Sequence, residues 1–301
     1  MEMKIFLTVT AMIFSLISLY GASYEELMNQ ADKLFKAKKY KEAAAVFDDA
    51  SLETDNASKR IEARYRSWRC LKNAKAANAV SEAESLLYDE AALGNDRKVE
   101  LVSYIAYRSN KDRMKKVLEF GLALKGLDEK QRSQILLVAM NSGGTWLSEA
   151  YVNEILAMKK PHPVAKANAL GHRANVYLWV KRDPATALEY INKALSIKEL
   201  TGKDRQFYLL VQARSYLALK KFDMAEKSYL SAITNAKQHN FLEAAYKELL
   251  RVYIISKQGM KIEPLLKRAS EDKSLYKRQR QVFANLLAEI AKARNQRVNG
   301  R

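Results

Sequence analysis

The sequence predicts an all-α, right-handed solenoid of six to seven degenerate helix-turn-helix repeats closed by a C-terminal helix, and three observations lead there. Only 4 prolines and 10 glycines occur in 301 residues, Ala, Leu, Lys and Glu predominate, and strand-like alternation is nearly absent. LFKAKKYKEAAAVFDDA, at 34–50, sets Tyr40, Ala43, Phe47 and Ala50 at intervals of three and four, which is one face of a helix. That frame recurs. YLALKKFDMAEKSYLSA at 216–232 carries Phe222, Ala225, Tyr229 and Ala232 in the same places, and LWVKRDPATALEYINKA at 178–194 carries Ala187, Ile191 and Ala194. Bare methyl groups beside aromatics let helix axes approach closely, so one helix pair buries its face against the next.

The elements follow in order. One lysine precedes an apolar run from Ile5 to Tyr20 and then three small residues, the layout of a secretory signal peptide. The run is shorter than the roughly 20 residues that cross a bilayer. The expectation is therefore an exported chain, periplasmic or secreted, with segment 1–23 removed and an uncleaved N-terminal anchor as the other outcome. Gly21 and Ser23 suit the two positions that a signal peptidase reads, leaving Tyr24 first, with cleavage after Ala22 a close rival. No cysteine stands there, so lipid attachment at that point is excluded.

Residues 24–275 read as the repeats and 276–301 as a basic capping helix and tail. Ala43, Ala83, Val117, Ala150, Ala187, Ala225 and Leu265 stand 33 to 40 residues apart, one helix pair to each interval. KAKKY, VKRDP and ALKKF mark turns within pairs, whereas SLETDN, NSGGT and SIKELTGK connect one pair to the next. Pro184 and Pro264 suit a first helical position, and KKPHPV is an inter-repeat loop. From Tyr276 to Arg297 a longer helix presents Val282, Phe283, Leu286, Leu287 and Ile290 as one stripe, suited to cover the apolar end of a stack.

These frames resemble the tetratricopeptide repeat, a 34-residue helix-turn-helix unit. In the first unit Leu27, Ala31, Leu34, Ala43 and Phe47 stand at the family's pattern positions; in the sixth, Leu209, Ala213, Tyr216, Ala225 and Tyr229 do. The fifth matches less well, through Gly171, Asn175, Leu178, Ala187 and Ile191, and all three lack the closing proline, having Asp55, Glu199 and Lys237 there. The resemblance implies a concave surface lined by the first helix of each pair. Carried over, its groove positions are Met28, Asp32 and Phe35; Tyr65, Trp68 and Lys72; His172, Val176 and Trp179; and Phe207, Leu210 and Arg214. The family's lysine-and-asparagine clamp for a peptide carboxylate is missing at Met28 and Asp32, so binding of chaperone tails is not implied.

Charge points to a different class of partner. The formal net charge is +18, which favours anionic partners, and outside the cytoplasm these are lipid headgroups, envelope polymers or acidic proteins rather than nucleic acid. Lys277, Arg278, Arg280, Lys292 and Arg294 make the polar face of the terminal helix almost wholly positive, with Glu289 the exception. A polyanion- or membrane-surface-binding protein acting through that face is thus the alternative.

Catalysis finds little support. His162, His172 and His239 are far apart and lack ligand-spaced carboxylates or cysteines, Gly143-Gly144 is a turn and not a phosphate loop, and Cys70 reads as a packed free thiol. The expectation is a non-enzymatic scaffold for a protein or peptide partner, without metal or cofactor.

Overall fold

The computed structural model describes residues 22–89, 92–142, 145–200, 202–234 and 239–299, so residues 1–21, which hold most of the segment 1–23 expected to be a signal peptide, and Gly143-Gly144 lie outside the described residues. Among these residues every regular element is helical. The chain clusters into two compact units, one up to Leu127 and one from Asp128. Helix-to-helix packing runs unbroken within each unit, and the terminal helix packs into the second.

The first unit holds three helix pairs: α1 (Tyr24–Lys36) with α2 (Tyr40–Leu52), α3 (Ala57–Asn73) with α4 (Ala79–Asp89), and α5 (Asn95–Ala106) with α6 (Lys111–Ala123). The second holds four: α7 (Glu129–Ser142) with α8 (Thr145–Ala157), α9 (Pro163–Asn175) with α10 (Pro184–Leu195), α11 (Gly202–Ala218) with α12 (Phe222–Thr234), and α13 (His239–Ile255) with α14 (Ile262–Glu271). Helix α15 (Lys277–Asn299) closes it. Its Phe283 is buried in one cluster with Leu275, Tyr246 and Leu266, which is how the apolar end of the stack is covered.

Capping residues define the helix starts. Ser23 and Glu26 form a capping box ahead of α1, Asn56 and Asn110 accept from Lys59 and Arg113 backbone N–H groups, and Asp183 does the same for Thr186 ahead of Pro184. Of the small or apolar residues spaced along the second helices, Ala43, Ala83, Val117, Ala187 and Ala225 are fully buried and Leu265 nearly so. Ala150 is exposed. Val152 and Ile155, three apart like Phe47 and Ala50, are buried instead, so the α8 frame lies two residues away from the expected one.

Two local features set the rest. In the fifth pair α9 runs into a π-helical turn, Val176–Val180, which inserts one extra residue. Leu178 stays inside, and upstream of the turn Leu170, Gly171 and Ala174 are buried, whereas Asn175 is only partly so and Ala174 takes the interior place expected of it. Gly171 has its own role: a Cβ there would lie 2.4 Å from Cε1 of buried Tyr208, so only glycine lets α9 approach α11 this closely.

The second feature is the turn inside five of the pairs. Lys38, Lys75, Arg182, Lys220 and Lys257 all adopt left-handed backbone, with φ between 54 and 60°. Around Lys38, Lys75, Lys220 and Lys257 paired bonds such as Lys38 N–H to Phe35 C=O and Lys39 N–H to Leu34 C=O make Schellman closures, in which glycine would be unstrained. Lys220→Gly is accordingly expected to stabilise the chain by about 0.5–1 kcal/mol. An unchanged or lowered urea midpoint would show that the left-handed turn carries no such strain.

Successive pairs are also laced by polar contacts at the repeat separation. Both carboxylate oxygens of Asp32 accept from Nη1 of Arg66 at 3.0 Å, Glu25 meets Lys59 at 2.7 Å, Arg97 pairs with Glu62, Glu248 with Arg214, and Glu226 with Lys261. Each joins residues 34 or 35 apart in sequence, since equivalent positions on neighbouring pairs face one another.

Candidate functional site

The carried-over groove positions separate into two groups. Met28, Tyr65, Trp68 and Leu210 are buried, Trp68 to 1 % exposure, and are corrected from partner-facing to core residues. The cause in the second pair is register. The Asp32–Arg66 and Glu25–Lys59 pairs align the first two pairs at an offset of 34, which brings Glu62, Arg66 and Arg69 to the places of Met28, Asp32 and Phe35. Trp68 then points inward, and the Tyr65 ring lies beneath the Arg97 guanidinium, 4.5 Å away. Trp68 stacks edge-on to Tyr104 at 5.2 Å and donates its indole N–H to the Ala79 carbonyl at 3.1 Å.

The first unit thus presents a polar depression of about 170 Å³, with Asp32, Glu62, Arg66, Arg69 and Arg97 beside Phe35, Phe47 and the largely buried Tyr65. Its charges answer one another. Burial pulls the Glu62 carboxyl upward, but bonds from Arg66 and Arg97 outweigh this and hold it below the usual carboxylate range. Glu100 behaves alike: burial raises it, while Lys72, at 2.7 Å, and the Tyr65 hydroxyl more than compensate. Lys72 is therefore a structural pair, with its ammonium 5.1 Å from the Trp68 ring.

The second unit is different. The π-helical turn leaves Trp179 59 % exposed, although the flanking Leu178 is buried. Trp179 lines an open depression of about 630 Å³ with Leu178, Leu217, Ala218, Phe222 and Ile255 as apolar wall, and Arg214, Lys220, Arg251, Glu248 and Tyr229 as polar wall. Arg214 is clamped by Glu248 through Nε at 2.9 and 3.1 Å and a terminal nitrogen at 2.5 Å, and the buried Tyr229 hydroxyl donates to the same carboxylate at 2.8 Å. The guanidinium stands 5.9 Å from the Trp179 ring. The floor is therefore rigid, with an exposed indole and two further cations, Lys220 and Arg251, at its margin.

The remaining expected residues do not join it. Phe207 packs half-buried against Phe241 and Tyr208, and His172 and Val176 are partly buried. On the terminal helix Lys277, Arg278, Lys292 and Arg294 are exposed, but Arg294 pairs with Glu263 at 3.7 Å, and Arg280 is half-buried with its Nε enclosed and not presented to a partner. Cys70 is buried, and that burial pushes its thiol up to about 11. Among the described residues no group of three His, Cys, Asp or Glu is arranged to hold a metal.

Sequence reasoning missed Glu248, Arg251, Lys220 and Ile255. The 34-residue offset that brings Arg214 and Glu248 together was the available signal, since opposite charges one repeat apart sit side by side.

No family model matches the sequence, and no curated protein matches it either. The structure is similar to that of the C-terminal part of a TPR repeat-containing protein from Cytophaga hutchinsonii, at a TM-score of 0.51 and 17 % identity, over 84 % of this chain and 97 % of that one. The likeness bears on the fold alone. The chain has an all-α, tetratricopeptide-like helical-repeat fold.

Proposed function

We propose that this chain is an exported, non-enzymatic scaffold that holds a segment of a protein partner in the depression beside Trp179. The observation that carries the reading is the exposed indole fixed over a rigid floor, because solvent-facing tryptophan beside arginine is the residue combination that dominates interface energetics. Apolar walls and the surplus of Arg214, Lys220 and Arg251 over Glu248 favour a partner segment that combines an apolar side chain with an acidic one.

Trp179→Ala should leave folding intact and weaken capture of that partner by about 2 kcal/mol, roughly 30-fold. The assay is capture from an envelope extract washed at roughly 0.5 M salt, where surface charges are screened. A discrete protein retained equally by the parent chain and by Trp179→Ala would place the contact elsewhere.

Export rests on the leader pattern in residues 1–22, and the first helix bears on where processing occurs. The Ser23 backbone N–H donates to Glu26 at 2.8 Å while its hydroxyl accepts from the Glu26 amide at 3.4 Å. Cleavage after Ala22 would keep this capping box, whereas cleavage after Ser23 would remove it and forfeit about 1 kcal/mol. Intact-mass analysis of the exported chain is expected to find Ser23 first; a chain beginning at Tyr24 would refute that assignment.

A further inference from the structure

Three turns of the second unit come together around the depression, and they share a chemistry that a peptide groove does not require. Trp179, Lys220, Phe222 and Ile255, which line one recess, belong to the turns inside the fifth, sixth and seventh pairs, so these turns form one continuous edge. Along it stand protruding apolar side chains. Met260 is 94 % exposed, Val180 75 % and Ile254 60 %, with Trp179, Ile255 and Met224 also well exposed. Among the described residues, most of the large hydrophobics exposed in this unit are on this edge, with Tyr276 and Val282 on the terminal helix the others.

Between them lie cations. Lys181 and Arg182 follow Val180, Lys220 and Lys221 precede Phe222, and Lys257 stands two residues after Ile255; all five are exposed. The acids nearby are mostly engaged: Glu226 takes Lys261 at 2.7 and 2.9 Å and the Tyr253 hydroxyl at 2.8 Å, Asp183 caps α10, and Asp223 remains. Arg182, Lys220 and Lys257 are moreover the left-handed residues of the three turns. Glycine would relieve that backbone, so a basic residue kept at each position trades stability for charge at the tips of the edge.

We propose that this edge docks the protein onto an anionic lipid bilayer surface. The apolar groups stand out as tips and so suit a soft layer into which they sink, whereas a protein partner would need a recess for each. An indole at the same level occupies the place that tryptophan prefers at a membrane boundary, and flanking lysines and arginines meet lipid phosphates. The inference shares the exposed Trp179 with the partner-binding reading but does not rest on that reading, since Val180, Met260, Lys181, Arg182 and Lys257 lie outside the lining of the depression.

The test is co-sedimentation of the full chain with vesicles of phosphatidylcholine alone and with about one-third phosphatidylglycerol, the neutral vesicles measuring whatever the apolar leader contributes. The anionic vesicles are expected to bind more tightly, and Lys181→Ala/Arg182→Ala/Lys257→Ala to weaken that binding about a hundred-fold. Val180→Asp/Met260→Asp should weaken it as well. Far-ultraviolet circular dichroism establishes that each variant is folded, and lipid-borne bromine should quench a fluorescence component that disappears in Trp179→Phe. Equal binding to both vesicle types overturns the proposal. So does an anionic preference that survives both edge variants, including one lost instead in Lys277→Ala/Arg278→Ala. Edge variants that abolish capture of a protein partner while leaving vesicle binding unchanged overturn it too.

Discussion

Trp68→Ala is expected to lower the unfolding free energy of the first unit by about 3–5 kcal/mol, the range for removing a fully buried large aromatic. Three contributions act together. The indole is 1 % exposed, its ring meets Tyr104 at 5.2 Å and Tyr65 at 5.5 Å, and its N–H satisfies the Ala79 carbonyl at 3.1 Å. Removing it leaves a cavity, breaks two aromatic contacts worth about 0.5–1.5 kcal/mol each and loses the indole hydrogen bond. Trp68→Phe keeps the packing and loses mainly the hydrogen bond, so its cost should fall to about 1–2 kcal/mol. Urea titration followed by circular dichroism decides the matter, with separate transitions allowed for the two units. A midpoint unmoved by Trp68→Ala would contradict the burial of this side chain and reopen its role at a binding surface.

In Glu248→Ala the expected loss is about 2–3 kcal/mol, below the range for a fully buried pair because the Arg214 and Glu248 side chains remain 25 and 27 % exposed. The carboxylate serves two donors at once, the Arg214 fork and the Tyr229 hydroxyl. Its removal strands a hydroxyl on a residue with no exposed surface and a guanidinium with its partner gone. Adding Arg214→Met to Glu248→Ala should restore part of the loss, since no unpaired charge then remains. If the double variant is less stable than the sum of the singles, the pair is not the coupled unit its geometry describes. The same variants separate folding from binding, because Glu248→Ala disturbs the floor of the depression whereas Trp179→Ala removes only its exposed wall.

The helical class, the number of pairs and most buried anchors were legible because they depend on local chemistry. Ala43, Ala187 and Ala225 are small where two helix axes must approach, and that requirement recurs with the repeat. Serine, asparagine and aspartate ahead of helices, and proline at first positions, are signals of the same kind. Sequence reasoning lost its footing where a single residue changes the phase. A one-residue π insertion at 176–180 displaced the interior places of α9, a two-residue displacement moved the frame of α8, and a register error in α3 set Trp68 and Tyr65 toward a partner. A helix turns 100° per residue, so an error of one position is enough to exchange a core side chain for a surface one.

By itself, then, the sequence determined a repeating helical chain with small residues at its crossings, a basic surplus, an apolar leader pattern and a covered C-terminal end. Only the tertiary structure decided which tryptophan is buried and which is exposed, which arginines are neutralised by a carboxylate one repeat away, and which turns share an edge. The physical reason is that composition and periodicity act within a helix, whereas burial and charge pairing depend on neighbours 34 residues distant. Their alignment is settled when the pairs pack.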